Sequence, residues 1–218
     1  MKDGKSMKYE IGTQKPDNLK EYWPGQYDFF SHFEYVSGIP HALFLITTLK
    51  ENGKTNACFH SWSSFSGDSG GFYAIMPGLM QHTHTYQNIL REKEFCINFI
   101  SADYYEACQH SIKNNDADID ELINSGFTPE QAKTVKTPRI KEAFLTFECT
   151  LEQVSDLSGK GISAMIVGKV MNAAIDERHK DVESVCDDFM FYIHAPKDLA
   201  TGEGEKGAIA QLKVMRDE

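Results

Sequence analysis

No stretch of this chain approaches the roughly 20 consecutive apolar residues that a membrane-spanning helix needs. Cations are also in short supply. Lys and Arg total 22 against 32 Asp and Glu, a formal net charge of -10. That average charge repels a phosphate backbone, so neither a membrane nor a nucleic acid is an expected partner. The five cysteines (Cys58, Cys96, Cys108, Cys149 and Cys186) are scattered, with no C-x-x-C pair. They fit reduced thiols in a cytoplasmic protein and argue against a structural metal site. The stretch from Met1 to Lys8 is charged and lacks an apolar signal core. Residues 1–22 therefore read as a flexible leader, and 23–218 as one domain.

Hydrophobic residues make up 41% and charged residues 25%, a globular balance. Leu43 to Leu49 is an apolar, β-branched strand, and Asn52-Gly53 marks a hairpin. Thr55 to Ser63 returns as a strand, and Phe72 to Met76 follows a Gly67-Asp-Ser-Gly-Gly71 loop. Thr85 reads as the N-cap of a helix reaching about Lys93. Phe95 to Ile100 is a strand. Ser101 caps a helix with Tyr104, Cys108 and Ile112 on one face. Thr128-Pro-Glu-Gln131 has a capping-box pattern. Leu145 to Leu151 alternates as a half-buried strand, and Ile162 to Asp176 is a strand bent at Gly168. A last strand covers Ala208 to Val214. Hairpins outnumber βαβ units, so the expected fold is mainly β: an antiparallel barrel or sandwich with short inserted helices.

Several motifs have plainer readings than their letters suggest. Gly67-Asp-Ser-Gly-Gly71 matches a serine-protease nucleophile loop, but Ser69 lies too early in the chain, and a turn explains the cluster. Gly202-Glu-Gly-Glu-Lys-Gly207 fits G-x-G-x-x-G without the flanking strand and helix, so it reads as a solvent loop. Asp116-Ala-Asp-Ile-Asp120 lacks the Gly and terminal Glu of a calcium loop and reads as a solvated acidic helix start. His60, His82 and His84 have no carboxylate at ligand spacing, so anion contact is preferred to metal binding.

The most informative residues are Ser61, Trp62 and Ser63, followed by His82, Thr83, His84 and Thr85. A strand with hydroxyls suits the polar edge of a flat ring. A Thr-rich helix start offers unpaired N–H groups to a phosphate. Phe44 to Thr48, Asn52-Gly-Lys-x-Asn-Ala57, Ser61-Trp62, His84-Thr-Tyr-x-Asn-Ile89, Glu94-Phe-x-x-Asn98, Pro138-Arg-Ile-Lys-Glu142, Glu148-Cys149 and Val167-Gly-Lys-Val170 occur here in order. In these residues the chain resembles the flavin reductase-like family, which includes flavoredoxin. The resemblance implies an antiparallel Greek-key split β-barrel that forms a homodimer with FMN at the subunit interface. Ser61, Trp62 and Ser63 would line the ring, and His82, Thr83, His84 and Thr85 would hold the phosphate. Many relatives have Arg or Lys where this chain has Thr83, so His82 or His84, backbone N–H groups and hydroxyls would meet the phosphate charge. Asn88 is expected to lock the helix to the barrel. The implied activity takes hydride from NAD(P)H onto flavin and passes electrons to a small-molecule or protein acceptor. The alternative is a flavin-binding electron-transfer protein without its own reductase activity. No catalytic acid or base is assigned.

Overall fold

The computed structural model describes residues 8–113, 115–179 and 188–212. They form two compact units. The first contains the chain up to Pro40 and the segment Ile193–Ala208. It holds two short helices, α1 (Gln26–Phe29) and α2 (His32–Ser37). Residues 8–22 carry no helix or strand, yet Leu19 is buried and Lys20 N–H donates to the Gly202 carbonyl. The glycine-rich 202–207 segment is thus a loop with its own internal partners.

The second unit carries the barrel. Its elements are β1 (His41–Ala42), β2 (Phe44–Leu49), β3 (Thr55–His60), β4 (Ser64–Asp68), β5 (Gly71–Met80), α3 (His84–Glu92) and β6 (Glu94–Phe99). After these come α4 (Tyr105–Ser111), α5 (Glu121–Asn124), β7 (Pro129–Glu130), β8 (Arg139–Ile140), β9 (Leu145–Ser155), β10 (Ser163–Ile175), β11 (Met190–Ile193) and β12 (Ala208–Gln211). Val214, the expected end of the last strand, and Cys186 lie outside the described residues. The main sheet is antiparallel, in the order β3-β2-β6-β9-β10-β5-β4. β3 and β4 are therefore opposite edges, yet only residues 61–63 join them. A flat sheet would hold those edges about 29 Å apart at about 4.8 Å per strand. The connection reaches about 14 Å at full stretch. The sheet must roll until its edges face each other across a seam.

The rolled interior packs Phe44, Ile46, Met76, Phe95, Ile97 and Ile166. A second cluster on the outer face of β2 joins Leu43, Leu45, Ala57, Ile100, Cys108, Leu122, Ile140 and Met190. β2 is consequently buried on both faces, which suits its unbroken apolar run. The described cysteines are unpaired. Burial pushes the Cys58 thiol to about 11 and that of Cys108 to about 12.

Several sequence expectations need correction. The strand from Thr55 stops at His60, and residues 61–63 are an irregular crossing. Gly67 and Asp68 belong to β4, which leaves Ser69-Gly70 as the turn, while β5 runs on through Pro77 and Gly78. Tyr104 and Ile112 are exposed while Cys108 is buried, because the chain from Ala102 to Tyr104 forms a separate 3-10 turn. No helix starts at Thr128. Pro129 and Glu130 pair with Ile140 and Arg139, and a buried carboxylate takes the next N–H groups. That carboxylate is Glu148. It accepts from Lys133 N–H (2.9 Å), from Thr134 N–H and hydroxyl (both 2.6 Å), from Asn172 Nδ2 (3.1 Å) and from Arg139 (3.3 Å). The supposedly wet face of β9 is thereby covered, with Thr146 and Glu148 at 3% and 0% exposure. Burial alone would raise the Glu148 carboxyl, but these donors more than offset it and hold the group below the usual range. Its contribution to stability is therefore present above the ordinary carboxylate range and lost as pH falls through the depressed value.

The irregularity beside Gly168 falls on β9: the register steps from Val167–Gln153 to Gly168–Leu151, which leaves Glu152 as the extra residue. A Cβ at Gly168 would lie 2.4 Å from Phe95 Cζ and 3.2 Å from Cys149 Cβ. Gly168→Ala should cost about 1–3 kcal/mol through overpacking, and Glu148→Ala about 3 kcal/mol through its orphaned donors and Arg139. Urea denaturation at neutral pH checks both. Glu148→Ala should also lose less stability than the parent on acidification.

Candidate functional site

The crossing from β3 to β4 is pinned from below. His60 is buried, and its Nε2 meets the Trp62 carbonyl at 2.9 Å. Burial holds the ring neutral, down to about 4, against the opposing pull of the Trp62 and Pro77 carbonyls and aided by His41. His60 is thus a clamp on the crossing and is committed to it. The Trp62 indole lies over Gly78, where a Cβ would be 2.8 Å from Trp62 Cε3. Gly78 also has φ +76°, which favours glycine. Ser61 is buried, Trp62 and Ser63 are half-buried, and Ser63 Oγ approaches the Ser61 carbonyl at 3.4 Å. Ser69 occupies the β4–β5 turn, and Asp68 Oδ1 accepts Gly70 N–H at 2.7 Å, so this motif serves the hairpin.

The N-terminus of α3 forms the second part. Thr83, not Thr85, is its N-cap: the hydroxyl accepts from Tyr86 N–H (3.4 Å) and donates to the Met80 carbonyl (2.8 Å). Thr85 points inward, only 2% exposed. With the Asn56 amide turned so that its NH2 faces Glu121 Oε2 (3.3 Å), its oxygen accepts the Thr85 hydroxyl at 2.9 Å. Both threonine hydroxyls are therefore engaged within the fold. The first N–H groups of α3, at His84 and Thr85, have no intrahelical partner. The exposed His82 and the half-exposed His84 flank them. Asn88 Nδ2 donates to Thr48 Oγ1 at 3.0 Å and ties the helix to β2.

Thr85 also lies beside the Cys58 thiol. Three residues at about 3.3 Å each separate Cys58 from Ser61. The helix start and the crossing thus lie roughly 10 Å apart along one strand. One end offers hydroxyls and an indole, the other free N–H groups and imidazoles. That donor set fits a planar ring carrying a phosphate arm. Lys50 and Glu121 also stand beside the site, unforeseen from sequence. Lys50 precedes the Asn52-Gly53 hairpin and Glu121 follows the acidic run 116–120, and nothing in either segment signals their pairing.

The family description "Flavin reductase like domain" matches residues 36–194. This chain belongs to that family. An Aquifex aeolicus protein is 29% identical over 116 residues, which span 52% of this chain and 59% of its own length. Nitrilotriacetate monooxygenase component B from Bacillus cereus superposes with a TM-score of 0.73 at 15% identity, over 96% of this chain and all of that one. A protein with a split barrel domain from Shewanella frigidimarina gives 0.69 at 17% identity, over 91% and 98%. The fold is the antiparallel split β-barrel.

His60 gives a pH test. Its folded value lies below the ordinary value of 6.5, so the unfolded chain takes up a proton first on acidification. Stability should fall by about 3 kcal/mol between pH 6.5 and 4 on this account. In His60→Gln, urea titrations over that range should show a smaller loss than in the parent.

Proposed function

We propose that the chain is an FMN-dependent oxidoreductase of the flavin reductase type. The observation that carries the reading is the pairing of the pinned Ser61–Ser63 crossing with the open N-terminus of α3, on a barrel of this family. Bound FMN would supply the electron chemistry, accepting hydride from NAD(P)H and passing electrons to a small-molecule or protein acceptor. The chain's own residues bind and orient it. Ser61, Ser63 and the crossing backbone meet the polar edge of the ring, and the Trp62 indole, seated on Gly78, shapes its side. The N–H groups of His84 and Thr85, with His82 and His84, meet the phosphate. Thr83 keeps those N–H groups presented by capping the helix. We place the cofactor at the interface of a homodimer, with the protein acting in the cytoplasm.

A visible spectrum of the purified protein, with release and identification of any bound flavin, is the primary test. A yellow protein that oxidises NADH or NADPH fits the reading. A yellow protein inert toward both is an electron carrier, and a colourless one that ignores added FMN overturns the proposal. Thr83→Asp should keep the helix cap, since Asp caps as well as Thr, while setting a negative charge beside the phosphate. FMN affinity should drop about tenfold or more with riboflavin affinity unchanged, while loss of the hydroxyl's donation to the Met80 carbonyl lowers the thermal midpoint. Equal loss for both flavins would place the phosphate elsewhere.

A further inference from the structure

The first turn of α3 contains no Lys or Arg. FMN ends in a phosphate monoester, which carries close to two negative charges at neutral pH. A pyrophosphate linking two nucleosides carries the same total, with one charge on each phosphate. A helix start served by N–H groups and histidines suits a single charge better than a double one. The fold also offers room for the second half of such a molecule.

A cavity of about 330 Å³ runs along the flank of α3, within the size range of small-molecule sites. Its helical wall is His84, Gln87, Asn88 and Arg91. The last three follow His84 by three, four and seven residues and so share one stripe of the helix. That stripe is about 10 Å long at about 1.5 Å per residue. It starts at the residue assigned above to the flavin phosphate and ends at Arg91. Asn52 and Ala117 form the facing wall. The Asn52 amide donates to the Ala117 carbonyl at 2.9 Å, and its oxygen accepts Lys54 N–H at 3.1 Å, so that wall is fixed.

The charges in the cavity select its occupant. Lys50 spends its three ammonium hydrogens on Glu121 at 2.9 Å and on the carbonyls of Asp116 and Ile119, both at 2.8 Å. Arg91 is held in place rather than used up. Its Nε donates to Glu92 at 2.7 Å, and one Nη2 hydrogen goes to the Leu49 carbonyl. Nη1 lies 4.0 Å from Glu51, beyond hydrogen-bond range, and the Glu51 side chain is 85% exposed. Of the five guanidinium donors, three are thus uncommitted among the described residues. They sit on a positioned plane, which can stack on a heteroaromatic base or hydrogen-bond to its edge. With Lys50 neutralised and Glu51 at the rim, this end has no charge to spare for a second dianion. An uncharged base suits it.

We propose that this flank of α3 is an adenylate subsite, and that the flavin the chain holds best is the dinucleotide, FAD. The riboflavin phosphate takes the helix start. The second phosphate and its ribose lie along His84, Gln87 and Asn52, and the adenine meets Arg91. This inference rests on the flavin reading above and enlarges its ligand.

Calorimetric titration of flavin-free protein with riboflavin, FMN and FAD tests it. FAD should bind about tenfold more tightly than FMN. Arg91→Ala should erase that advantage and leave the affinities for FMN and riboflavin where they were. Arg91→Lys keeps the positive charge in the last turn of α3 without the planar fork, and should lose most of the advantage as well. It carries the test if Arg91→Ala does not fold. A nicotinamide dinucleotide also brings an adenylate, so NAD+ is titrated into the FMN-loaded parent and variants, and its affinity should not depend on Arg91. Three results overturn the inference: FAD no tighter than FMN, an advantage that survives both substitutions, or an equal loss for all three flavins. An NAD+ affinity that falls with Arg91 overturns it too, by giving the cavity to the nicotinamide dinucleotide. Failure of the parent to bind any flavin overturns the flavin reading itself.

Discussion

Three residues between opposite edge strands dictate the architecture. Because His60 and Ser64 stand on the two ends of a seven-strand sheet, the sheet is compelled to roll, and the seam is compelled to run past residues 61–63. The segment cannot relax outward, since the His60 ring holds the Trp62 carbonyl and the indole rests on Gly78. The same brevity that closes the barrel therefore keeps a short polar strip rigid at its opening. Preorganisation of that kind lowers the ordering cost of binding a flat ligand.

Two buried carboxylates do much of the remaining organisation. Glu148 collects backbone N–H groups of the 133–134 segment and converts what would otherwise start a helix into a tight wrap over β9. Glu121 collects Ala57, Lys50 and the neighbourhood of His84. In both cases an acid that looks like surface decoration is the acceptor around which a loop is built. Each satisfies several donors at once, which is the condition under which burying charge is tolerable.

The strands were largely legible because period-two alternation and the Asn52-Gly53 turn act locally. The seam was not. The order of strands in a sheet depends on pairings such as β6 with β9, whose partners lie some 50 residues apart, and no local pattern encodes that. The helix expected after Thr128 failed for a related reason: capping letters were present, but distant acceptors claimed the backbone. At the candidate site, residues 61–63 and 82–85 were picked out by their side-chain chemistry. The hydroxyls of Thr83 and Thr85 were read as ligand donors, and the fold shows each with an internal partner. Lys50 and Glu121 escaped notice because charged residues in turns resemble solvated ones until their partners are known.

β2 lies between the two apolar clusters, with Phe44 and Ile46 facing one and Leu45 facing the other. Such a strand has no silent side. The helical cover over α4 and α5 therefore cannot melt away while leaving the barrel wall undisturbed, and the two clusters should come apart on heating as one cooperative event rather than in sequence.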